Sequence, residues 1–345
     1  MKNLDKIYVS LLKDLKENGH ICEPARKNMP KTKALFGTLV KIDNKRFPIL
    51  QGKKINFKNI ILELFWMLIG DSNIKFLVKN GCNIWNDDAF RYYRDSFGGK
   101  LTKDEFIKAI LDESLEEQKG ISNPNDCIKD PNYKYGDCGR IYGIQWRSWG
   151  DNNIVAQQEG FNKYQKYRKP IDQIDKLIKG LKENPFSRYH IVSAWNPQDF
   201  FEENTHYVAL PACHKDFQCN VFKREDENFY LDLRVDIRSS DIVLGLPYNI
   251  AFYALLQRIL CIFTNYKVGD LNIQLGNYHY YENQKEYIEE YIRRFENKEI
   301  PNEDIQLEID SSIWNDKIDN IKIDDFKLIN YKPLSNIKAP LSVGL

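Results

Sequence analysis

The chain has 345 residues, room for one large α/β domain or two ordinary ones with a substantial core. Lys plus Arg total 50 against 49 Asp plus Glu, a net charge of +1, so no overall field points to nucleic acid or a membrane surface and any basic site is local. Seven cysteines are scattered without metal-site spacing, and an odd number suits no closed disulfide framework. Free thiols, no metal and a cytoplasmic location are expected, because the N-terminus opens on an amphipathic pattern rather than the apolar run of a signal peptide.

Residues 4–15 place Ile7, Leu11, Leu12 and Leu15 on one helical face. Residues 34–42 alternate around Gly37 as a strand, and 60–68 read as a buried helix with Asn56 as N-cap, Gly70 as stop and Glu63 as its one charge. From Asp88 to Asp137 the chain turns polar, with a helix over 103–117 and turns around Pro124, which suggests a small appended subdomain over 88–137. An amphipathic helix follows over 171–181. Residues 189–195, 217–222 and 229–236 have strand composition, and 247–266 form a long apolar helix with Pro247 at its start. Its most apolar part, 250–263, is broken by Gln257 and Arg258 and is too short to span a bilayer. The pattern implies an α/β or α+β domain with a mixed sheet.

The chemistry centres on Leu210-Pro211-Ala212-Cys213-His214-Lys215-Asp216-Phe217-Gln218, followed by Asp236-Ile237-Arg238-Ser239-Ser240-Asp241. Only a thiolate attacks, and nearby positive charge brings a thiol pKa of about 8.5 down toward neutrality. If Arg238 folds back onto Cys213, the thiol is a nucleophile; a lone Cys-His pair is otherwise a structural cysteine beside an unrelated histidine.

Five further segments carry unusual residues: Glu63-Leu64-Phe65-Trp66 with Gly70-Asp71-Ser72-Asn73; Ile84-Trp85; Arg140-Ile141-Tyr142-Gly143-Ile144-Gln145-Trp146-Arg147; Ser187-Arg188-Tyr189-His190 running to Trp195-Asn196-Pro197; and Leu244-Gly245-Leu246-Pro247-Tyr248-Asn249. With the Cys213 segment, Gly276-Asn277-Tyr278-His279-Tyr280-Tyr281 and Ile337-Lys338-Ala339-Pro340, they resemble the thymidylate synthase family, in order and from about Leu11 onward. The resemblance implies a single catalytic domain over 1–345, with the polar stretch 88–137 as the insertion of long-form members. It implies a homodimer whose sheets pack face to face, and a reaction in which 5,10-methylenetetrahydrofolate methylates C5 of dUMP.

By that resemblance Cys213 adds to C6 of uracil, Glu63 is the general acid/base and Tyr142 assists proton removal at C5. Asn249 reads uracil through O4 and N3–H, where related deoxycytidylate hydroxymethylases carry Asp. His279 and Tyr281, sharing one strand face, bond the sugar 3′-hydroxyl. Arg238 and Ser239 hold the phosphate, with Arg188 reaching it from the partner subunit. Asp241 anchors the pterin, Trp85 walls the folate, Ala339 belongs to the closing C-terminal segment, and Lys53 serves the glutamate tail unless it is a solvated surface lysine.

Five departures stand out. Tyr189 replaces the second of two arginines, so phosphate affinity should fall. Residues 24–31 replace the usual phosphate loop, with Arg26 or Lys27 as substitutes. Asp88 stands for a second tryptophan, Ile237 for a glutamine, and the C-terminus runs two residues longer. A wetter pocket would let water capture the exocyclic methylene and give 5-hydroxymethyl-dUMP instead of dTMP. A uracil-directed hydroxymethylase is therefore the alternative, and a non-catalytic nucleotide-binding homologue a third reading.

Overall fold

The computed structural model describes residues 4–24, 29–112, 133–150, 169–199, 208–310, 313 and 322–341. Its helices are α1 (Leu4–Asn18), α2 (Phe57–Leu68), α3 (Lys75–Lys79), α4 (Asn86–Phe97), α5 (Lys103–Leu111), α6 (Tyr142–Arg147), α7 (Gln173–Glu183), α8 (Gly245–Thr264) and α9 (Lys285–Glu296). Its strands are β1 (His20–Cys22), β2 (Thr32–Ile42), β3 (Ile191–Ser193), β4 (His214–Lys223), β5 (Phe229–Asp241), β6 (Lys267–Tyr281), β7 (Gln306–Ile309) and β8 (Phe326–Ile329). The chain forms two compact units, one from Met1–Ile61, Ile178–Ile191 and Cys213–Gly344, the other from Leu62–Leu177 and Val192–Ala212.

A mixed six-stranded sheet, in the order β1-β2-β6-β5-β4-β3, dominates the first unit and gives the expected α/β class. β4 and β5 form an antiparallel hairpin, while β5 and β6 run parallel, with α8 as the crossover between them. Leu231, Leu233, Val235 and Ile237 alternate along β5 with Leu271, Ile273 and Leu275 along β6, all fully buried on the face that α8 covers. Gly276 is required where β6 passes Arg238, since a Cβ there would come within 2.8 Å of the Arg238 carbonyl.

α8 runs 20 residues, further than the stretch 250–263, and by length and apolarity alone it could cross a bilayer. However, 72% of its most apolar window is buried inside the fold, as in a core helix. Its two polar interruptions are satisfied internally. Gln257 Nε2 donates to the Leu231 carbonyl at 2.7 Å and its Oε1 accepts from Asn44 at 2.6 Å. Arg258 donates to Asn44 Oδ1 at 2.8 Å and lies over the Phe47 ring.

The predicted helices and strands recur with shifted ends. Asn56 Oδ1 accepts the Asn59 N–H at 3.4 Å at the start of α2, as an N-cap should. α5 stops at Leu111, not at 117, because Asp112 turns to an extended conformation (φ −78°, ψ 108°). α7 starts two residues later than expected, and β3 is shorter than 189–195 because Ile191 N–H turns back onto the Tyr189 carbonyl. Of the region 88–137, residues 113–132 lie outside the described set. The rest packs through Phe90, Tyr93, Phe106 and Tyr135, with ring centroids such as Tyr93 and Phe106 4.8 Å apart. β6 and α9 are not among the elements read from the sequence. Glycines and Asp270 break the alternation of β6, hiding a 15-residue strand.

Candidate active site

Cys213 directly precedes β4. Pairing of His214 with Ile237 on β5 leaves the Arg238 N–H donating to the Cys213 carbonyl at 2.9 Å. The same register sets Arg238 Nη2 3.9 Å from Cys213 Sγ, and the thiol remains half-buried rather than sealed in the core. Positive charge therefore faces the sulfur, the condition under which a thiol acts as a nucleophile. Ser239 follows on the same strand, opposite Asn277 of β6. Ile237 is fully buried, an apolar core position at the spot where the resemblance calls for glutamine.

His214, next to the thiol, is buried, and burial lowers its pKa to about 4, opposed by its hydrogen bond with Asn249. The ring is neutral at ordinary pH and ties the Asn249 side chain to the β4 strand. Asn249 sits in the first turns of α8, where a Cβ added to Gly245 would lie 4.0 Å from Asn249 Nδ2 and 3.9 Å from Asp241 Cβ. The bare backbone of Gly245 thus lies against both side chains.

Asp241 ends β5 and starts the turn into α8. Its Oδ1 accepts the N–H groups of Val243 (2.8 Å) and Leu244 (3.1 Å), and its Oδ2 accepts from Gln284 Nε2 at 3.1 Å. The parallel register sets Asp241 beside His279. Burial depresses the His279 pKa, while Asp241 opposes the shift; the imidazole Nδ1 lies 2.8 Å from Asn277 Oδ1. Tyr281 meets the His279 ring edge-on, with centroids 5.4 Å apart. The carboxyl ends of two parallel strands and the first turns of α8 thus gather Arg238, Ser239, Asp241, Asn249, His279 and Tyr281, as ligand sites in α/β sheets commonly do.

The same unit holds a cleft of about 880 Å³ lined by Lys53, Asn56, Tyr248, Tyr287, Ile337 and Ala339, among others. Lys53 is not a solvated surface lysine: it is 3% exposed, donates to the Val243 carbonyl at 2.8 Å and lies 4.6 Å from the Tyr287 ring centre. Burial lowers its pKa to about 8, with the Asp241 charge opposing. Arg188, by contrast, is exposed, its carbonyl accepting weakly from Gln218 at 3.4 Å, and the neighbouring Tyr189 is 89% exposed. Arg26, Lys27 and residues 342–345 lie outside the described residues.

In the second unit, Glu63 on α2 accepts from Trp85 Nε1 at 2.9 Å. Desolvation raises the Glu63 carboxyl to about pKa 7, only partly countered by that hydrogen bond, which suits an acid/base group working near neutrality. Trp85 stacks obliquely on Trp66 (5.4 Å) and meets the buried Tyr142 edge-on (6.0 Å), so Glu63, Trp85 and Tyr142 form one cluster. Gly143 makes this possible, because a Cβ there would press to 2.9 Å on the Met67 carbonyl of α2. Asp88 does not expose a bare gap: it pairs with Arg91 at 2.6 Å, and Arg91 also donates to the Ala209 carbonyl. Gln284, whose amide meets Asp241, went unremarked in the sequence; its only local signal is its position three residues after Tyr281.

In the first unit, a thiol faced by a guanidinium beside hydrogen-bonding groups at strand ends is an arrangement suited to covalent nucleophilic catalysis; in the second, a buried carboxyl near neutrality is suited to acid–base catalysis, and both are features of an enzyme. Among the described residues, no cluster of three or more His, Cys, Asp or Glu is placed to hold a metal ion. The thymidylate synthase family model matches residues 6–343. Thymidylate synthase from Listeria monocytogenes is 33% identical across 98% of this chain and all of its own length. The Mycoplasma mobile thymidylate synthase is 34% identical over 97% of this chain and 99% of its own, and that from Mesoplasma florum 35% over 92% and 94%. The chain belongs to the thymidylate synthase family, a family of methyltransferases that bind dUMP and use methylenetetrahydrofolate as co-substrate.

Proposed function

We propose that this chain makes dTMP from dUMP by reductive methylation, through a covalent bond between Cys213 and C6 of the uracil. The observation that carries the reading is Arg238 at 3.9 Å from the Cys213 sulfur, beside the groups at the ends of β5 and β6. C5 of uracil is too weak a nucleophile to attack a one-carbon donor; adding the Cys213 thiolate at C6 places enolate-like electron density on C5. The folate supplies the methylene and then the hydride that reduces it to methyl, and as the hydride adds, the Cys213–C6 bond breaks, releasing the thiolate and restoring the C5–C6 double bond of dTMP.

The protein groups do the rest. Asn249, held by His214, donates to O4 and accepts from N3–H of uracil. His279 and Tyr281 bind the 3′-hydroxyl, and Arg238 and Ser239 the phosphate. Glu63 relays protons near O4 and the folate nitrogens, Tyr142 assists loss of the C5 proton, and Trp85 packs on the folate. Asp241 anchors the pterin, and the 880 Å³ cleft with Lys53 and Ala339 receives the rest of the folate. Lys53, already engaged with Val243, contributes there as a buried positive charge rather than as a mobile surface arm.

The chain works as one catalytic domain with an insertion over 88–137, and as a homodimer. Phe36 on β2, Ile191 on β3 and Phe222 on β4 are exposed by 85%, 49% and 51%, apolar surface suited to a second copy, and Arg188 is free to reach the partner's phosphate site. Six described cysteines are free thiols, in keeping with a cytoplasmic enzyme.

Incubation with dUMP and methylenetetrahydrofolate, with the pyrimidine identified by mass and the folate by absorbance, tests the reading. dTMP with dihydrofolate is expected. A hydroxymethyl product with tetrahydrofolate rejects the synthase reaction, and binding without product makes the chain a non-catalytic homologue.

A further inference from the structure

Gln284 is 1% exposed, and its amide joins three segments distant in sequence. Its Oε1 accepts the Tyr281 N–H at 3.0 Å, while its Nε2 donates to Asp241 Oδ2 at 3.1 Å and to the Pro340 carbonyl at 3.2 Å. A backbone N–H can only donate, and an ionised carboxylate and a carbonyl can only accept, so these three partners fix which way the amide points. A neutral primary amide is the one side-chain group that offers an acceptor and two donors in this arrangement.

Each partner belongs to a different part of the reaction. Tyr281 ends the strand assigned to the sugar, Asp241 is assigned to the pterin, and Pro340 lines the 880 Å³ cleft assigned to the rest of the folate. Asp241 Oδ1 is already occupied by the Val243 and Leu244 N–H groups, so the Gln284 bond to Oδ2 sets the rotation of the carboxylate and the lone pair left for a ligand. We infer that Gln284 is a positioning residue that couples the nucleotide-binding strand end to the Asp241 carboxylate and to Pro340 at the folate cleft. This rests on the reaction proposed above.

The consequence is asymmetric: loss of the amide should damage folate use far more than binding of dUMP alone. Gln284→Met keeps the length and apolar volume but removes all three hydrogen bonds. Gln284→Glu keeps an acceptor for Tyr281 but sets a second carboxylate against Asp241. In the full-length enzyme both variants are expected to raise KM for methylenetetrahydrofolate about 10- to 100-fold, the scale of losing a hydrogen bond to a charged group. The dissociation constant for dUMP without folate should stay within about twofold on the same scale. A purely structural role would not produce that split. A structural role would carry any pH effect of Gln284→Glu into dUMP binding as well, whereas here protonation restores one donor toward Asp241, so the folate defect should shrink as pH falls from 8 to about 5.5 while dUMP binding stays level.

Parent enzyme turning over normally, with both variants folded by their thermal midpoints but showing unchanged folate KM or equal losses for dUMP and folate, overturns the coupling and leaves the reaction standing. Should Gln284→Met fail to fold, the pH trend in Gln284→Glu decides alone, a flat trend counting against the inference. A parent without dTMP formation overturns the reaction itself, and the coupling with it.

Discussion

Arg238 meets Cys213 twice, through a backbone N–H on the cysteine carbonyl at 2.9 Å and through a guanidinium nitrogen 3.9 Å from the sulfur. The first contact holds the two residues in register, and the second supplies the charge. Cys213→Ala should abolish turnover yet keep dUMP binding, because the hydrogen-bonding groups on β5, β6 and α8 are untouched; normal turnover in that variant would defeat the covalent mechanism. Arg238→Ala keeps the backbone contact and removes the charge. Its Cys213 should alkylate with iodoacetamide more slowly at neutral pH, with the midpoint of the rate-pH curve moved to higher pH. An unmoved midpoint would show that the guanidinium does not activate the sulfur.

Glu63 offers a test in both activity and stability. Its folded pKa, about 7, lies above the 4.5 of an exposed glutamate, and burial is the main cause. A raised folded pKa gives stability that is complete below pH 4.5 and is lost as pH climbs through 7, since the folded state must then give up a proton it holds more tightly than the unfolded chain does. Glu63→Gln should therefore gain stability relative to the parent as pH rises from about 5 to 8, by at most on the order of 3 kcal/mol. Denaturant titrations of both proteins across that range read the difference directly. In the same variant kcat should fall by about 100-fold or more, and the ionisation near pH 7 should vanish from the pH profile. Persistence of that ionisation would assign it to another group.

Cys213, Asn249 and the His279/Tyr281 pair stood out in the sequence as candidates because each is a distinctive residue type in a distinctive local run. The placement of Arg238 on Cys213 needed one long-range pairing, and the β4–β5 hairpin supplied it with only a short turn between the strands. Lys53 was picked out in the sequence, but its burial was not legible there. It sits between Gly52 and the exposed Lys54, and only the fold reveals that a Cβ on Gly52 would strike the Tyr291 ring while the neighbouring lysine is drawn under Val243. Gln284 was hidden for the same reason: two of its three partners lie more than forty residues away. Helix ends were shifted where one residue left the helical region, as at Asp112, which no periodicity foretells.

The proposed reading of the base by Asn249 depends on the orientation of its side chain, which His214 helps to set. The neutral, buried imidazole bonds the Asn249 side chain and restricts how the amide can turn. Asn249→Asp exchanges the donor toward O4 for an acceptor and, once protonated, can donate toward N3, the pattern that cytosine requires. The ratio of kcat/KM for dUMP over dCMP should fall by at least about 100-fold, as expected when buried hydrogen-bonding groups are mismatched. An unchanged ratio in a folded variant would remove Asn249 from base reading.

Tyr189 stands beside Arg188 at the surface, 89% exposed, where the family resemblance calls for a second arginine. A tyrosine hydroxyl can offer one hydrogen bond to a phosphate oxygen, whereas a guanidinium offers a two-pronged bond and a full charge. Since the Tyr189 side chain is so open, Tyr189→Arg should fit without disturbing the core, and the thermal midpoint should move by no more than a degree or two, as for other surface changes. If Arg188 serves the phosphate of a partner subunit, the added arginine should tighten dUMP binding by about 3- to 30-fold at low salt, with the gain shrinking as ionic strength rises. Deoxyuridine, which lacks the phosphate, should bind both proteins alike. Calorimetric titration of the two ligands separates these effects: equal dUMP affinities for parent and variant would place Tyr189 away from the phosphate, and equal gains for dUMP and deoxyuridine would make the effect one of packing rather than charge.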